Sequence, residues 1–253
     1  MSEPEFFVGY LPMPRSLRRF VSIAGVIISV LVLGAGFVLA RSTSGGGRAQ
    51  FRGGTSQALV GVLTTRPTAL LWTLDPAAPG GVRGTLLVRQ GKFGLGERAA
   101  ALDGQVVRAS GAIIERDGRR MIELARLPEA ASEALSAPDH ALIAARVRDQ
   151  REQVTLEGEI VDSKCWLGRM RPGAQRTHRA CAQLCIAGGI PAMFVTRAAN
   201  GQEQAYVLAD RQGGPIGDAV LPYVAEPVRL SGERVSEGDV LFLRIDAAKI
   251  ERL

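Results

Sequence analysis

The sequence predicts a mainly β chain of the α+β class: one N-terminal transmembrane helix, then two tandem small β-barrels, the second carrying a Cys/His-bearing helical insertion. Three observations carry this. The 253 residues include 30 glycines and 13 prolines, a composition that favours short strands joined by many turns. Residues 20–40 form an apolar run without a single charge. From Gln57 onward the chain repeats part of itself, as two copies of one strand-rich unit would.

The N-terminal tail, residues 1–19, places Phe6, Phe7, Tyr10, Leu11 and Met13 ahead of Arg15, Arg18 and Arg19. An apolar tail of this kind is expected to touch lipid or a membrane-protein partner. Residues 20–40, FVSIAGVIISVLVLGAGFVLA, number 21. At about 1.5 Å per residue they match a hydrocarbon core of about 30 Å, so the expectation is a single transmembrane helix. A cleaved signal peptide is the rival reading, since Val38-Leu39-Ala40 has the look of a cleavage site, but the run exceeds the usual apolar region of such peptides. Arginines flank both ends of the run and lie closest to its N-terminal end, which orients the tail to the cytoplasm. The C-terminal part is then expected in the periplasm of a bacterium, anchored in the inner membrane. Residues 41–55, RSTSGGGRAQFRGGT, read as a flexible linker.

Leu59-Val-Gly-Val-Leu63 is answered by Leu156-Glu-Gly-Glu-Ile160, Gly80-Gly-Val82 by Gly188-Gly-Ile190, and Val107-Arg-Ala-Ser-Gly111 by Val228-Arg-Leu-Ser-Gly232. The last pair leads in each copy to a turn, Asp117-Gly118 or Glu237-Gly238, followed by a β-rich run. From Gly61 to Gly111 is 50 positions and from Gly158 to Gly232 is 74, so the second copy carries 24 more, part of them on the cysteine segment. Short strands, hairpins and glycine-bent strands suggest OB-like barrels, with a β-sandwich as the near alternative. The expected modules are 56–127 and 154–253, joined by a helical connector over 128–153 with Leu135, Leu142, Ile143 and Val147 on its apolar stripe.

All three cysteines and one of the two histidines fall between Asp162 and Pro191, in the order C-x12-H-x2-C-x3-C. If residues 177–186 are helical, His178, Cys181 and Cys185 share a face, and the Pro172-Gly173 turn lets Cys165 return to it. Three thiolates and an imidazole suit a tetrahedral transition metal such as Zn, Cu or Fe, with the thioethers of Met170 and Met193 as further donors to Cu(I). Without metal the same atoms form a thiol–disulfide redox site, or a structural disulfide with one cysteine left over. Lys164, Arg169, Arg171, Arg176 and Arg179 crowd the segment against a lone Asp162 and would favour thiolates. Trp166 is expected to pack over the site. His140, after Pro138-Asp139, reads as a cap of the connector helix rather than a ligand.

Other chemistries find no footing. Aromatics make up 5% of the chain, too few for base-stacking platforms, and the +6 net charge comes from interleaved basic and acidic residues, so no nucleic-acid partner is expected. No phosphate loop, nucleophile elbow or paired-carboxylate motif is present, and no catalytic residue is assigned. The segments DSKCW, HRACAQLC and GGIP resemble a pattern, DxKC[WY]…HRxCAxxC…GGIP, of membrane-anchored bacterial proteins, a likeness that supports one coherent site and implies no established activity. The anchor followed by an OB-like barrel is similar in architecture to the periplasmic haem chaperone of cytochrome c maturation. That family's His-x-x-x-Tyr motif is absent, because Ala182 stands four positions after His178, so no haem role carries over. Cys181-Ala-Gln-Leu-Cys185 is similar to the C-x3-C of dinuclear copper centres and of Sco-type copper chaperones. Gly189 stands where the oxidase pattern has histidine, and Ile186 where the Sco pattern has proline. The sequence therefore reads as a membrane-anchored accessory or electron-transfer protein with a Cys3His metal or redox site at Cys165, His178, Cys181 and Cys185. The alternatives are a thiol–disulfide redox protein, or a scaffold subunit of a membrane complex whose cysteines are stapled without metal.

Overall fold

A computed structural model describes residues 13–43, 49–146 and 150–253. The chain divides into two compact units, Met1–Gly45 and Gly46–Leu253.

In the first unit a single helix, α1, runs over Arg15–Thr43, and within it Leu17–Arg41 is long and apolar enough to cross a membrane. Pro14 stands just ahead of the helix, where its fixed φ is tolerated, and its carbonyl accepts the Arg18 N–H at 2.9 Å. The helix buries none of its apolar window against the protein, as a helix with lipid for solvent would require. Most of the tail proposed to dock a partner, and residues 44–48 of the linker, lie outside the described residues.

The second unit is two closed five-stranded barrels of one topology. In the first, β1 (Gln50–Thr64), β2 (Leu70–Leu74), β3 (Val82–Arg89), β4 (Val106–Arg116) and β5 (Arg119–Leu124) are ordered β1-β2-β3-β5-β4, and β4 pairs back onto β1 to close the ring. The β3–β5 pair is parallel and the others antiparallel, which is the OB order. A short β6 (Glu129–Ala130) extends β4, and the connector contributes one helix, α2 (Ala137–Arg146). The second barrel repeats the order with β7 (Gln150–Asp162), β8 (Ala192–Arg197), β9 (Glu203–Asp210), β10 (Pro227–Glu237) and β11 (Val240–Ile245), with β12 (Glu251–Arg252) on β10. Strand β1 starts at Gln50 and β7 at Gln150, so strand structure reaches into the stretches read from sequence as linker and connector.

The repeated glycines explain why the sequence copies itself. A Cβ on Gly61 would sit 2.2 Å from the Trp72 carbonyl oxygen, and one on Gly158 2.2 Å from that of Val195; these are the same place in the two barrels. Gly111 and Gly232 are likewise pressed onto the carbonyls of Glu123 and Arg244, at 2.1 and 2.2 Å. Barrel closure brings strands too near at these points for any side chain. The middle match is corrected by the structure: Gly80-Gly81 precedes β3, the third strand of its barrel, whereas Gly188-Gly189 precedes β8, the second. The β1–β2 connection takes only residues 65–69, while β7–β8 takes residues 163–191, and that difference equals the whole 24-residue excess of the second copy. The cysteine segment is therefore an insertion between the first two strands of the second barrel.

Three apolar cores result. Leu63, Leu71, Leu87, Val107 and Ile122 fill the first barrel, and Ile160, Phe194, Leu208, Val228 and Leu243 the second. A third core draws on both barrels, with Trp72, Val82 and Met121 meeting Val161, Trp166, Met193 and Phe242. Each such side chain contributes about 1.5–3 kcal/mol by burial, so the barrels are held as one body. Polar contacts cross the junction in both directions. Arg116 reaches Glu203 at 2.5 Å, and the Gly84 N–H donates to Asp239 at 2.6 Å.

Candidate metal and thiol centre

Strand β7 delivers Asp162, wholly buried, to the base of the insertion. Its Oδ1 accepts the Cys165 N–H at 2.8 Å, and the Ser163 N–H bonds to the Pro191 carbonyl at 3.0 Å, so entry and exit of the loop are tied together. Cys165 opens a turn over Cys165–Arg169 that is kinked at Gly168, where φ is +132°, a backbone state that only glycine adopts freely. The chain then doubles back as the Pro172-Gly173 turn predicts: Gly173 lies so close to the Cys165 carbonyl that a Cβ would stand 2.3 Å away. Residues 176–178 make a 3-10 turn into α3 (Arg179–Ala187), with His178 at its N-cap. The helix turns Ala182, Cys185 and Ile186 inward, leaves Cys181 half-buried, and stops at Gly188-Gly189, the latter at φ +90°.

This path brings the donors together. One donor atom each from Cys165, His178 and Cys181 lie within 4.8 Å of one another, and those of Asp162, Cys165 and Cys185 form a second such group. Cys165 belongs to both. His178, 5% exposed, pairs through Nε2 with Asp162 Oδ2 at 3.1 Å. A buried carboxylate on one ring nitrogen fixes the imidazole and raises the donor strength of the other, as around metal-bound histidines. Three sulfurs, one oriented imidazole and a buried carboxylate fit a soft transition metal. All three cysteines are free thiols. Cys165 and Cys185 are buried, so Cys181 is the sulfur nearest the surface, with its Sγ 4.0 Å from the exposed thioether of Met170. Met193 is buried in the shared core.

The first barrel supplies a group that sequence reasoning missed. Lys92, in the loop after β3, donates from Nζ to Cys181 Sγ at 2.8 Å and stands 3.6 Å from Cys185 Sγ. Its own pKa is raised by that bond to Cys181. The two buried thiols split: the Cys165 thiol donates to Cys185, which holds the Cys185 sulfur down to about 7, with Lys92 helping against burial and the Asp162 charge. Cys165 is pushed up by the same bond, by burial and by Asp162. No local signal in the sequence marks Lys92, 73 residues before Cys165 and on another barrel.

The basic residues of the segment behave differently from the expectation. Lys164 is buried and pairs with Glu123 at 2.8 Å, Arg169 pairs with the same carboxylate at 3.0 Å, Arg171 donates to the Ala49 carbonyl, and Arg179 pairs with Glu226. They fasten the insertion to its surroundings, and the cation on the thiols is Lys92. Trp166 packs under the Arg116 guanidinium, 4.3 Å from its ring centre, and shares one apolar core with Cys165 and Cys185. His140 lies on α2 away from the donor groups, 3.4 Å from the Gly104 carbonyl; Ser136, bonded to the Asp139 N–H, caps that helix instead. Compared with protein-family models, curated proteins and solved structures, the chain matches none.

Proposed function

We propose that the protein is a membrane-anchored accessory or electron-transfer component that holds a transition-metal ion (Zn, Cu or Fe) on Cys165, His178, Cys181 and Cys185. The observation that carries the reading is the convergence of Cys165, His178 and Cys181 within 4.8 Å around an imidazole braced by a wholly buried Asp162. A structural role alone does not call for three thiols, an oriented histidine and a lysine ammonium in one place. When bound, the ion supplies either one-electron redox capacity or a tight fold-stabilising centre, according to its identity. The chain's own part is to orient the ring through Asp162, to lower the cost of thiolate charge through Lys92, and to shield all donors but Cys181 from water. The half-exposed Cys181 is the edge from which a membrane-complex partner exchanges electrons or metal. In this reading the apolar helix anchors the chain in a bacterial inner membrane, the barrels face the periplasm and the N-terminal tail docks the partner. A reporter active only in the periplasm, fused after Leu253, is expected to give signal.

The test is elemental analysis with thiol titration on the full chain purified without reductant or chelator. One ion per chain is expected, lost together with thermal stability in Cys165→Ser, His178→Ala, Cys181→Ser and Cys185→Ser, while His140→Ala changes neither. Metal at background with two thiols unreactive until reduced would overturn the reading in favour of a disulfide-stapled scaffold. Metal at background with all three thiols reactive would favour a thiol redox protein, for which the Lys92–Cys181 contact is the supporting observation.

A further inference from the structure

A cavity of about 500 Å³ lies at the junction of the two barrels, and none of Cys165, His178, Cys181 and Cys185 lines it. Its apolar wall comes from both barrels: Leu86, Leu167, Met193, Val207, Val240 and Leu241. Its size falls in the range of about 300–1,000 Å³ typical of small-molecule sites, which combine an apolar lining with a few polar groups.

The charged groups that line it are three arginines and two aspartates, and they are unequally satisfied. Arg83 is fully engaged, with Asp75 at 2.6 Å, the Gly118 carbonyl at 2.6 Å and Asp239 at 3.6 Å. Asp239 is committed in turn to the Gly84 N–H of the opposite barrel. Asp117 faces Arg116 at 3.7 Å. Arg120 pairs with Glu115 at 3.7 Å, and its Nε is buried without a hydrogen-bond partner. Arg119 is half-buried, and among the described residues no carboxylate lies within ion-pair distance of it. The Trp166 ring lies 6.0 Å from it. Burial pushes the Arg119 pKa down; the charge of Asp117 opposes that shift and the charge of Arg116 adds to it. Two guanidiniums thus border the apolar hollow, that of Arg119 without an ion pair among the described residues and that of Arg120 with an unbonded Nε. Guanidinium groups bind carboxylate and sulfonate oxygens through paired N–H donors, and such charge-assisted bonds are strongest where water is partly excluded.

We propose that this cavity binds a small organic monoanion, a carboxylate or sulfonate carried on a compact apolar body, with Arg119 as its anchor and Arg120 beside it. The site is independent of the metal reading, since its lining includes none of Cys165, His178, Cys181 and Cys185.

The experiment is fluorine NMR on the full chain in lipid nanodiscs, with empty nanodiscs as the partition control and three probes of one shape: para-trifluoromethylbenzoate, the corresponding benzyl alcohol and the corresponding benzylammonium. The benzoate is expected to bind saturably, at least tenfold more tightly than the alcohol, and the ammonium not to bind. Arg119→Gln should bring the benzoate to within twofold of the alcohol, whereas Arg119→Lys should keep most of the preference. If Arg119→Gln does not fold, the wild-type ranking of the three probes decides alone. The proposal is overturned if no probe saturates, if the alcohol binds as tightly as the benzoate, or if folded Arg119→Gln keeps the anion preference.

Discussion

Lys164→Met tests how the cysteine insertion is fastened to the first barrel. The side chain is 2% exposed, and its ammonium makes three contacts, all to the first barrel: Glu123 Oε1 at 2.8 Å, the Arg89 carbonyl at 2.9 Å and the Gly91 carbonyl at 2.7 Å. Three donors meet three acceptors, so the buried charge is fully satisfied. Methionine keeps the length and loses all three bonds. Removing one partner of a buried ion pair costs about 3–5 kcal/mol, because the charge left behind is uncompensated. Here Arg169 remains on Glu123 at 3.0 Å, which places the expected loss at the low end, about 3 kcal/mol. For a body the size of Gly46–Leu253 that is a fall in melting temperature of about 6–12 °C. Thermal unfolding of the full chain in detergent, followed by tryptophan fluorescence, reads it. Lys164→Met/Glu123→Gln removes the stranded charge and should recover about 1–2 kcal/mol of the loss. A single variant within about 1 kcal/mol of the parent, or a double variant no more stable than the single, would refute the reasoning.

Two further outcomes probe the centre itself. Gly188→Ala would place a methyl 1.9 Å from the Lys92 carbonyl oxygen and displace the loop whose Gly94 N–H donates to the Gly188 carbonyl at 2.9 Å. About 2–4 kcal/mol of stability should go, with weaker metal retention as Lys92 leaves Cys181; an unchanged melting temperature would contradict the interlock. In metal-free protein, thiolate absorbance should rise with a midpoint near pH 7 for Cys185, well under its ordinary 9.0, and Lys92→Met should move that midpoint up. Because this pKa is lowered on folding, the stability it contributes is complete above 9.0 and disappears as pH falls through about 7; absence of thiolate until 9.0 would sink the assignment.

Much of the fold is written locally. An uncharged run of 21 residues has no use in water-filled surroundings, and α1 follows from it. Gly61, Gly158, Gly111 and Gly232 mark points where barrel closure brings carbonyls to about 2 Å of any Cβ, so their spacing betrays two copies of one barrel. Asp117 and Gly118 both take positive φ, +49° and +80°, as the predicted tight hairpin demands. The helix face of His178, Cys181 and Cys185 is set by helical periodicity, and Gly173 marks the return to Cys165. The sequence by itself thus determined the apolar helix and the doubled barrel, and it pointed to Cys165, His178 and Cys181, which the fold brings within 4.8 Å of one another. Only the tertiary structure decided what surrounds them. Lys92 reaches the sulfurs and Glu123 takes Lys164 and Arg169 because two barrels dock. Pairings of that kind join residues tens of positions apart through packing, leave no period or spacing in the chain, and so exist only once the barrels have met.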